Sequence, residues 1–293
     1  MLSPELLSKE TLELCANVSL LFRELDYPDR FAAAAEAGFD SAESWWPFST
    51  AAPDEADIDQ LVSTVGQSGI ALTGLNFFAG DMAAGERGIV SWIGREEEFQ
   101  VNLEVVTRIA ARTGVRGFNA LYGQRQSGVS GSEQDALAVA NLSTAVRTVA
   151  EFGGTLYIEP LSQGLNGAYP LKSARDAVSV VERVRRSTGL DNIGLLFDTF
   201  HLTNNGDDLL AVLDEFASLV AHVQLADSPG RGEPGTGGIA FEPVLTALWN
   251  AGYRGTVACE YAPTTSSTLE SLDWIAGMPH LRREASESQS KSR

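Results

Sequence analysis

Apolar residues come in short runs along this chain, and each run gives way to a longer helical pattern. Eight runs read as strands: LELCANVSL, GFDSAESWW, IALTGLNFF, VRGFNALYG, GTLYIEPL, NIGLLFDTF, LVAHVQLAD and GTVACEY. Between them, apolar residues recur at three- and four-residue spacings. The helical stretches are RFAAAAEAG, EADIDQLVSTVGQSG, REEEFQVNLEVVTRIAARTG, EQDALAVANLSTAVRTVAEFG, SARDAVSVVERVRRSTG, GDDLLAVLDEFASL and FEPVLTALWNAG. Several stop at a glycine: Gly38, Gly69, Gly114, Gly153, Gly189 and Gly252. Those positions suit a left-handed residue that ends a helix. Eight β-α units in order fit a (β/α)8 TIM barrel better than an open doubly wound sheet. No strand is followed by GxGxxG or GxxxxGK[ST], which speaks against a nucleotide-binding fold.

Four strands carry a polar residue near their carboxyl end: Glu159 in TLYIEPL, Asp198 in IGLLFDTFHL, Gln224 in VAHVQLAD and Glu260 in GTVACEY. A charge ending an apolar strand is costly unless it is paired, metal-bound or open to a cleft. These residues fall on strands 5 to 8, at the end where such barrels do their chemistry. Together they offer hard oxygen donors for one divalent ion, Mg or Mn rather than Zn, with acid/base carboxylates beside it. Three of them also have a plainer reading. Glu159 could form a structural salt bridge, Asp198 could cap the following helix, and Gln224 could be a satisfied buried amide.

Composition narrows the partners. With 21 basic and 39 acidic residues the net charge is −18, which argues against nucleic-acid phosphates and anionic membranes as partners. A small anionic substrate stays possible, because an arginine or a metal can reverse the field within one pocket. Cys15 and Cys259 sit in strand-like runs and read as small buried thiols. No apolar run approaches the roughly 18 residues of a membrane span, and the N-terminus has no signal-like apolar stretch. A cytoplasmic protein is expected, with a leader over 1–10, one barrel domain over 11–283 and a disordered Ser-rich tail over 284–293.

The stretches NVSLLF, WPF, FFAGDMAAGERGI, GREEEF, IEP, FDTFH, HVQLADSPGRGEPGTG and CEYAPTTSSTLESLDWI carry a further signal. With them, the chain resembles the hydroxypyruvate isomerase family, within the xylose isomerase-like TIM barrel superfamily. The resemblance runs from the first strand to the last helix. It implies that Glu159 and Glu260 are opposing acid/base residues and also metal ligands, with Asp198 and Gln224 completing the site. Three places depart from the family's pattern. Leu161 stands where Asn usually follows IEP, Ala262 where a basic residue usually follows CEY, and Gly238 where Glu usually follows PGTG. These changes leave the metal donors intact and bear on the substrate.

An aldose–ketose isomerisation moves a proton between adjacent carbons through an enediolate. Two carboxylates can take and return that proton. The substrate would be a small keto acid, hydroxypyruvate, converted to 2-hydroxy-3-oxopropanoate. A longer keto acid or a ketose, epimerised or isomerised, is the alternative. A sugar-acid-binding barrel without turnover and an endonuclease-like barrel are further readings, the last opposed by the charge. A substrate carboxylate calls for a forked donor. Arg231, in the loop after the seventh strand, is the first candidate, against an ion pair with Glu233. Arg87 is the second, against a role in holding its own loop through Glu86. His201 is expected on the substrate side. His222 is grouped with it, either beneath the metal or simply packed. His280 is read as a surface or helix-end partner, and Trp45, Trp46, Phe48, Phe77 and Phe78 as possible pocket walls. The family resemblance suggests a homo-oligomer.

Overall fold

All eight expected strands form, and they pair in parallel in chain order. They are β1 (Leu12–Asn17), β2 (Ser41–Ser44), β3 (Ala71–Asn76), β4 (Gly117–Asn119), β5 (Thr155–Ile158), β6 (Ile193–Asp198), β7 (Val220–Leu225) and β8 (Thr256–Cys259). β8 pairs with β1, Ala16 beside Cys259, and so closes the barrel. The computed structural model describes residues 11–278 and 280–282; the expected leader and tail lie outside them. A short β9 (Leu281–Arg282), which the apolar pattern does not mark, adds to β1.

The helices are α1 (Asp29–Glu36), α2 (Glu55–Ser68), α3 (Glu96–Thr113), α4 (Gly131–Ala150), α5 (Ala174–Thr188), α6 (Thr199–Asn205), α7 (Leu209–Phe216) and α8 (Phe241–Asn250). α5 shows why such segments fold as they do. Ala174, Ala177, Val178, Val181 and Val184 repeat at helical spacing and are buried. Ser173 and Asp176 form a reciprocal capping box at its start, and Gly189 ends it at φ 71°. All six of the expected helix-ending glycines have positive φ. One helix is unexpected. The sixth unit holds two helices, because α6 follows β6 directly and ends at Gly206 (φ 91°) before α7 begins. The eighth unit ends in a 3-10 helix, Glu270–Gly277.

Strands between barrel interior and helix layer need apolar residues on both faces. In β6 all six residues, Ile193–Asp198, are buried. Cys15 and Cys259 are buried and form no disulfide among the described residues, as expected.

Candidate active site

The carboxyl ends of the strands meet around a cavity of about 520 Å³. Glu159 and Glu260 are in its wall, each one residue beyond its strand, with His201, Arg87, Arg231 and Trp45. Asp198 and Gln224 are register partners on β6 and β7, wholly or almost wholly buried. The structure therefore places the four residues at or just beyond the ends of four successive strands, at one end of the barrel.

Each carboxylate is held differently. Glu159 Oε2 accepts from Asn119 Nδ2 at 2.7 Å, and its Oε1 lies 3.6 Å from His201 Nε2. Glu260 Oε1 accepts from Trp45 Nε1 at 2.7 Å and Asn17 Nδ2 at 3.2 Å, and its Oε2 from Arg231 at 2.6 Å. Asp198 Oδ1 accepts the backbone N–H of His201 at 2.8 Å and so caps α6. Among the described residues its Oδ2 is buried without a partner, and so is Gln224 Oε1. The capping and metal readings of Asp198 thus use different oxygens of one carboxylate.

Burial raises the proton affinity of all three acids. It pushes Glu159 well above the ordinary range, with the Glu260 and Asp198 charges adding to it. Asp198 is raised for the same first reason, although Arg231 opposes it. Glu260 is pushed up to about 7 by burial, against the pull of Arg231. Three buried carboxyls without enough counter-charge are expensive, at several kcal/mol per ion. A divalent cation would relieve that cost. The two orphaned oxygens, one carboxylate and one amide, are hard donors of the kind Mg or Mn takes. The chemistry of these oxygens therefore suits the metal that the strand-end pattern implies, although Glu260 is not among the acids whose donor atoms lie within 4.8 Å of one another.

Glu159, Asp198 and His201 could also share an ion, since their donor atoms lie within 4.8 Å of one another. The ring's hydrogen bonds argue for another role. His201 Nδ1 accepts the backbone N–H of Ser162 at 3.0 Å, so in the neutral ring the proton sits on Nε2. Burial first, then Arg231, pushes the ring's pKa down to about 3 and keeps it neutral. Nε2–H then serves as a donor aimed at the Glu159 side of the cavity.

The remaining candidates divide. Arg231 does not pair with Glu233. Glu233 instead accepts from Thr264 N at 2.9 Å and Thr264 Oγ1 at 2.6 Å, while Arg231 pairs with Glu260. Arg231 sits at φ 57° in a loop stapled by Asp227, whose carboxylate accepts the N–H groups of Ser228, Gly235, Gly237 and Ile239. Gly237 is required there, because a Cβ would lie 2.2 Å from Ser228 O and 2.5 Å from Asp227 Oδ1. Arg87 donates to Asn166 Oδ1 and to the carbonyls of Met82 and Glu86, so it both lines the cavity and ties its loop. His222 is not in the cavity wall. It stacks on Tyr157 and contacts Glu43 at 2.5 Å. His280 stacks on Trp249 at 4.9 Å. Of the aromatic set, Trp45 alone lines the cavity. Phe77 packs in the core against Phe99 and Phe118, and Trp46, Phe48 and Phe78 line a neighbouring hollow of about 720 Å³ that holds none of the four donors.

Sequence reasoning missed Glu43, Asn17, Asn119 and Arg23. Arg23 lines the cavity exposed, and no described residue bonds or pairs with it. Glu43 had a usable signal, since it stands near the end of β2 as the four donors stand near the ends of theirs.

This arrangement has relatives. A family model described as xylose isomerase-like TIM barrel matches residues 31–278. The chain belongs to that family. A Streptomyces coelicolor member provisionally named hydroxypyruvate isomerase is 44% identical over 88% of this chain and 94% of its own. The Escherichia coli hydroxypyruvate isomerase is 34% identical, covering 90% and 98%. A Haemophilus influenzae 2-oxo-tetronate isomerase is 31% identical over the same shares, 90% and 98%. Among solved structures, a Brucella melitensis family member described as an AP endonuclease of family 2 superposes with a TM-score of 0.83 at 30% identity, covering 93% of this chain and 100% of the other. The barrel expected from the strand pattern is thus the family's barrel. Among the described residues no helix is long and apolar enough to cross a membrane.

Proposed function

We propose that this protein is a metal-assisted isomerase interconverting hydroxypyruvate and 2-hydroxy-3-oxopropanoate. The observation that carries the reading is the pair of buried carboxyls, Glu159 and Glu260, lining one cavity beside two orphaned hard oxygens. The names of the relatives support the substrate class. Glu159, Asp198, Gln224 and Glu260 would hold a divalent cation, Mg or Mn. When bound, that cation would stabilise the negative charge developing on the substrate's two neighbouring oxygens.

The chain's own residues supply the rest. One carboxylate takes the proton from C3 of hydroxypyruvate, and a proton returns at C2 to give the semialdehyde. The C3 hydroxyl proton passes to the C2 oxygen, so no proton is gained or lost overall. Asn119 steadies Glu159; Trp45 and Asn17 steady Glu260. His201 Nε2–H can donate to a substrate oxygen. Arg23, Arg87 and Arg231 gather three guanidiniums at the cavity, a local field fit for a keto acid carboxylate despite the net charge of −18. That same net charge opposes a nucleic-acid substrate.

The cavity also favours a second reading within the class. At about 520 Å³ it has room beyond three carbons, and a longer 2-oxo acid would fit it. The test is an assay of hydroxypyruvate against longer keto acids and ketoses, with and without added Mg or Mn. Metal-dependent turnover of hydroxypyruvate as the best substrate is expected. A longer acid turned over faster moves the assignment to that acid. Tight binding with no turnover and no exchange of solvent deuterium into any substrate makes the protein a binder and overturns the reading.

A further inference from the structure

One of the four metal donors is an amide, and an amide can turn either its oxygen or its NH2 toward a cation. Only the oxygen ligates. In this structure the choice is made by a residue outside the donor set. Glu43, near the end of β2 and 4% exposed, accepts from Gln224 Nε2 at 2.7 Å and Asn17 Nδ2 at 2.8 Å, both on Oε1. Its Oε2 meets His222 Nε2 at 2.5 Å. A carboxylate only accepts, so each neighbour must present a donor to it. Gln224 therefore spends its NH2 on Glu43 and leaves Oε1 buried without a partner. Glu43 itself has no such idle oxygen, which sets it apart from Asp198.

The surroundings are built for this contact. His222 is held flat against Tyr157, with ring centroids 4.9 Å apart. Asn17 bridges Glu43 Oε1 to Glu260 Oε1, at 2.8 and 3.2 Å. On β3 the register partner of Glu43 is Gly74. A Cβ there would come within 2.9 Å of Glu43 Cβ and 3.2 Å of its Oε2. The missing side chain leaves the space Glu43 occupies.

We propose that Glu43 is a positioning residue that holds the Gln224 amide with its oxygen free for the cation and, through Asn17, fixes Glu260. The inference rests on the metal-site reading above, and a wild-type measurement tests that reading separately. The full chain is titrated with Mn²⁺ by calorimetry, with folding followed by circular dichroism. Glu43→Gln turns one of its two acceptor oxygens into an NH2, so the orientation of the Gln224 amide is no longer forced. It is expected to weaken Mn²⁺ binding roughly 10- to 100-fold, as loss of a partner that orients a ligand does. The double exchange Glu43→Gln with Gln224→Glu reverses donor and acceptor. The new amide then donates to the new carboxylate, whose other oxygen still meets the cation; affinity should rise at least about threefold above the single variant, short of wild type because Asn17 Nδ2 now faces an NH2. A role in packing alone gives no reason for that recovery. Wild-type chain that binds no divalent ion sinks the metal-site reading itself. If wild type binds, the positioning role is overturned by a folded Glu43→Gln with affinity within about twofold of wild type. It is equally overturned by a folded double exchange that fails to regain binding.

Discussion

Asp198 shows how much one side chain can carry. One oxygen caps α6 through the His201 N–H, and the other is buried and unpaired. Asp198→Asn keeps a capping oxygen but removes a buried charge that the apo site cannot neutralise. Its metal-free melting temperature should equal or exceed that of wild type, while Mn²⁺ affinity falls. Asp198→Ala loses the cap as well, and should be less stable than the Asn variant by about 1 kcal/mol. Calorimetric melting with a chelator present checks both. The acid/base pair makes a separate expectation. Glu159→Gln and Glu260→Gln each keep an oxygen for the metal but lose the base. At saturating metal, turnover should drop by roughly 10²–10⁴-fold. Near-normal turnover in either variant would make that residue a ligand only. Arg231 belongs at this scale too. It neutralises Glu260 at 2.6 Å and lines the cavity. Arg231→Ala should raise the KM for a keto acid, with a contact of about 1.5–3 kcal/mol at stake. An unchanged KM would pass the carboxylate to Arg87 or to Arg23.

At the level of elements, the loop after β7 is the clearest case of geometry dictated by a motif. RGEPGTG is long and glycine-rich because four of its neighbouring N–H groups converge on Asp227. Gly237 lies against backbone that cannot yield. Gly237→Ala should therefore displace the loop and Arg231 with it, raising KM and, because Arg231 bonds Glu260 at 2.6 Å, shifting Mn²⁺ affinity as well. A variant with the wild-type KM would show that the loop's position does not govern substrate binding. The short α6 was not legible beforehand. FHLTNN is too brief to show a helical period, and its start is set by the Asp198 cap rather than by an apolar stripe.

For the whole molecule, the buried acids make stability depend on pH. Glu260 is raised from its ordinary 4.5 to about 7, chiefly by burial. In that window the unfolded chain has already released the proton while the folded chain holds it. Apo stability should therefore fall as pH rises through it, and Glu159 and Asp198, raised likewise, push the same way. Glu43 acts in the opposite sense. Burial alone would raise it, but His222, Gln224 and Asn17 hold it below its ordinary value, so its contribution is present at neutral pH and lost only in acid. Melting in chelator from about pH 5 to about pH 8 should show the decline, and saturating Mn²⁺ should remove most of it, with a larger metal-induced rise at the upper pH. A flat profile in chelator would mean that these acids ionise without penalty.

The chain by itself determined the repeating β-α pattern, the barrel and the strand ends that carry Glu159, Asp198, Gln224 and Glu260. Those follow from local rules: apolar periodicity, helix-ending glycines, and the cost of a charge at the end of an apolar strand. It did not reveal which groups hold those four. Glu43 bonds Gln224 across 181 residues, and Trp45 bonds Glu260 across 215. Glu43 carries a strand-end signal in SAESWW, but nothing local says that it bonds Gln224, and His222, grouped with the substrate side, meets Glu43 instead. Only closure of β8 onto β1 brings Asn17 and Glu43 beside Glu260 and Gln224, and only the Ser162 N–H fixes the proton on His201 Nε2. A strand end is written locally in the sequence, whereas the partner of a buried polar atom is whatever barrel closure places within hydrogen-bond reach.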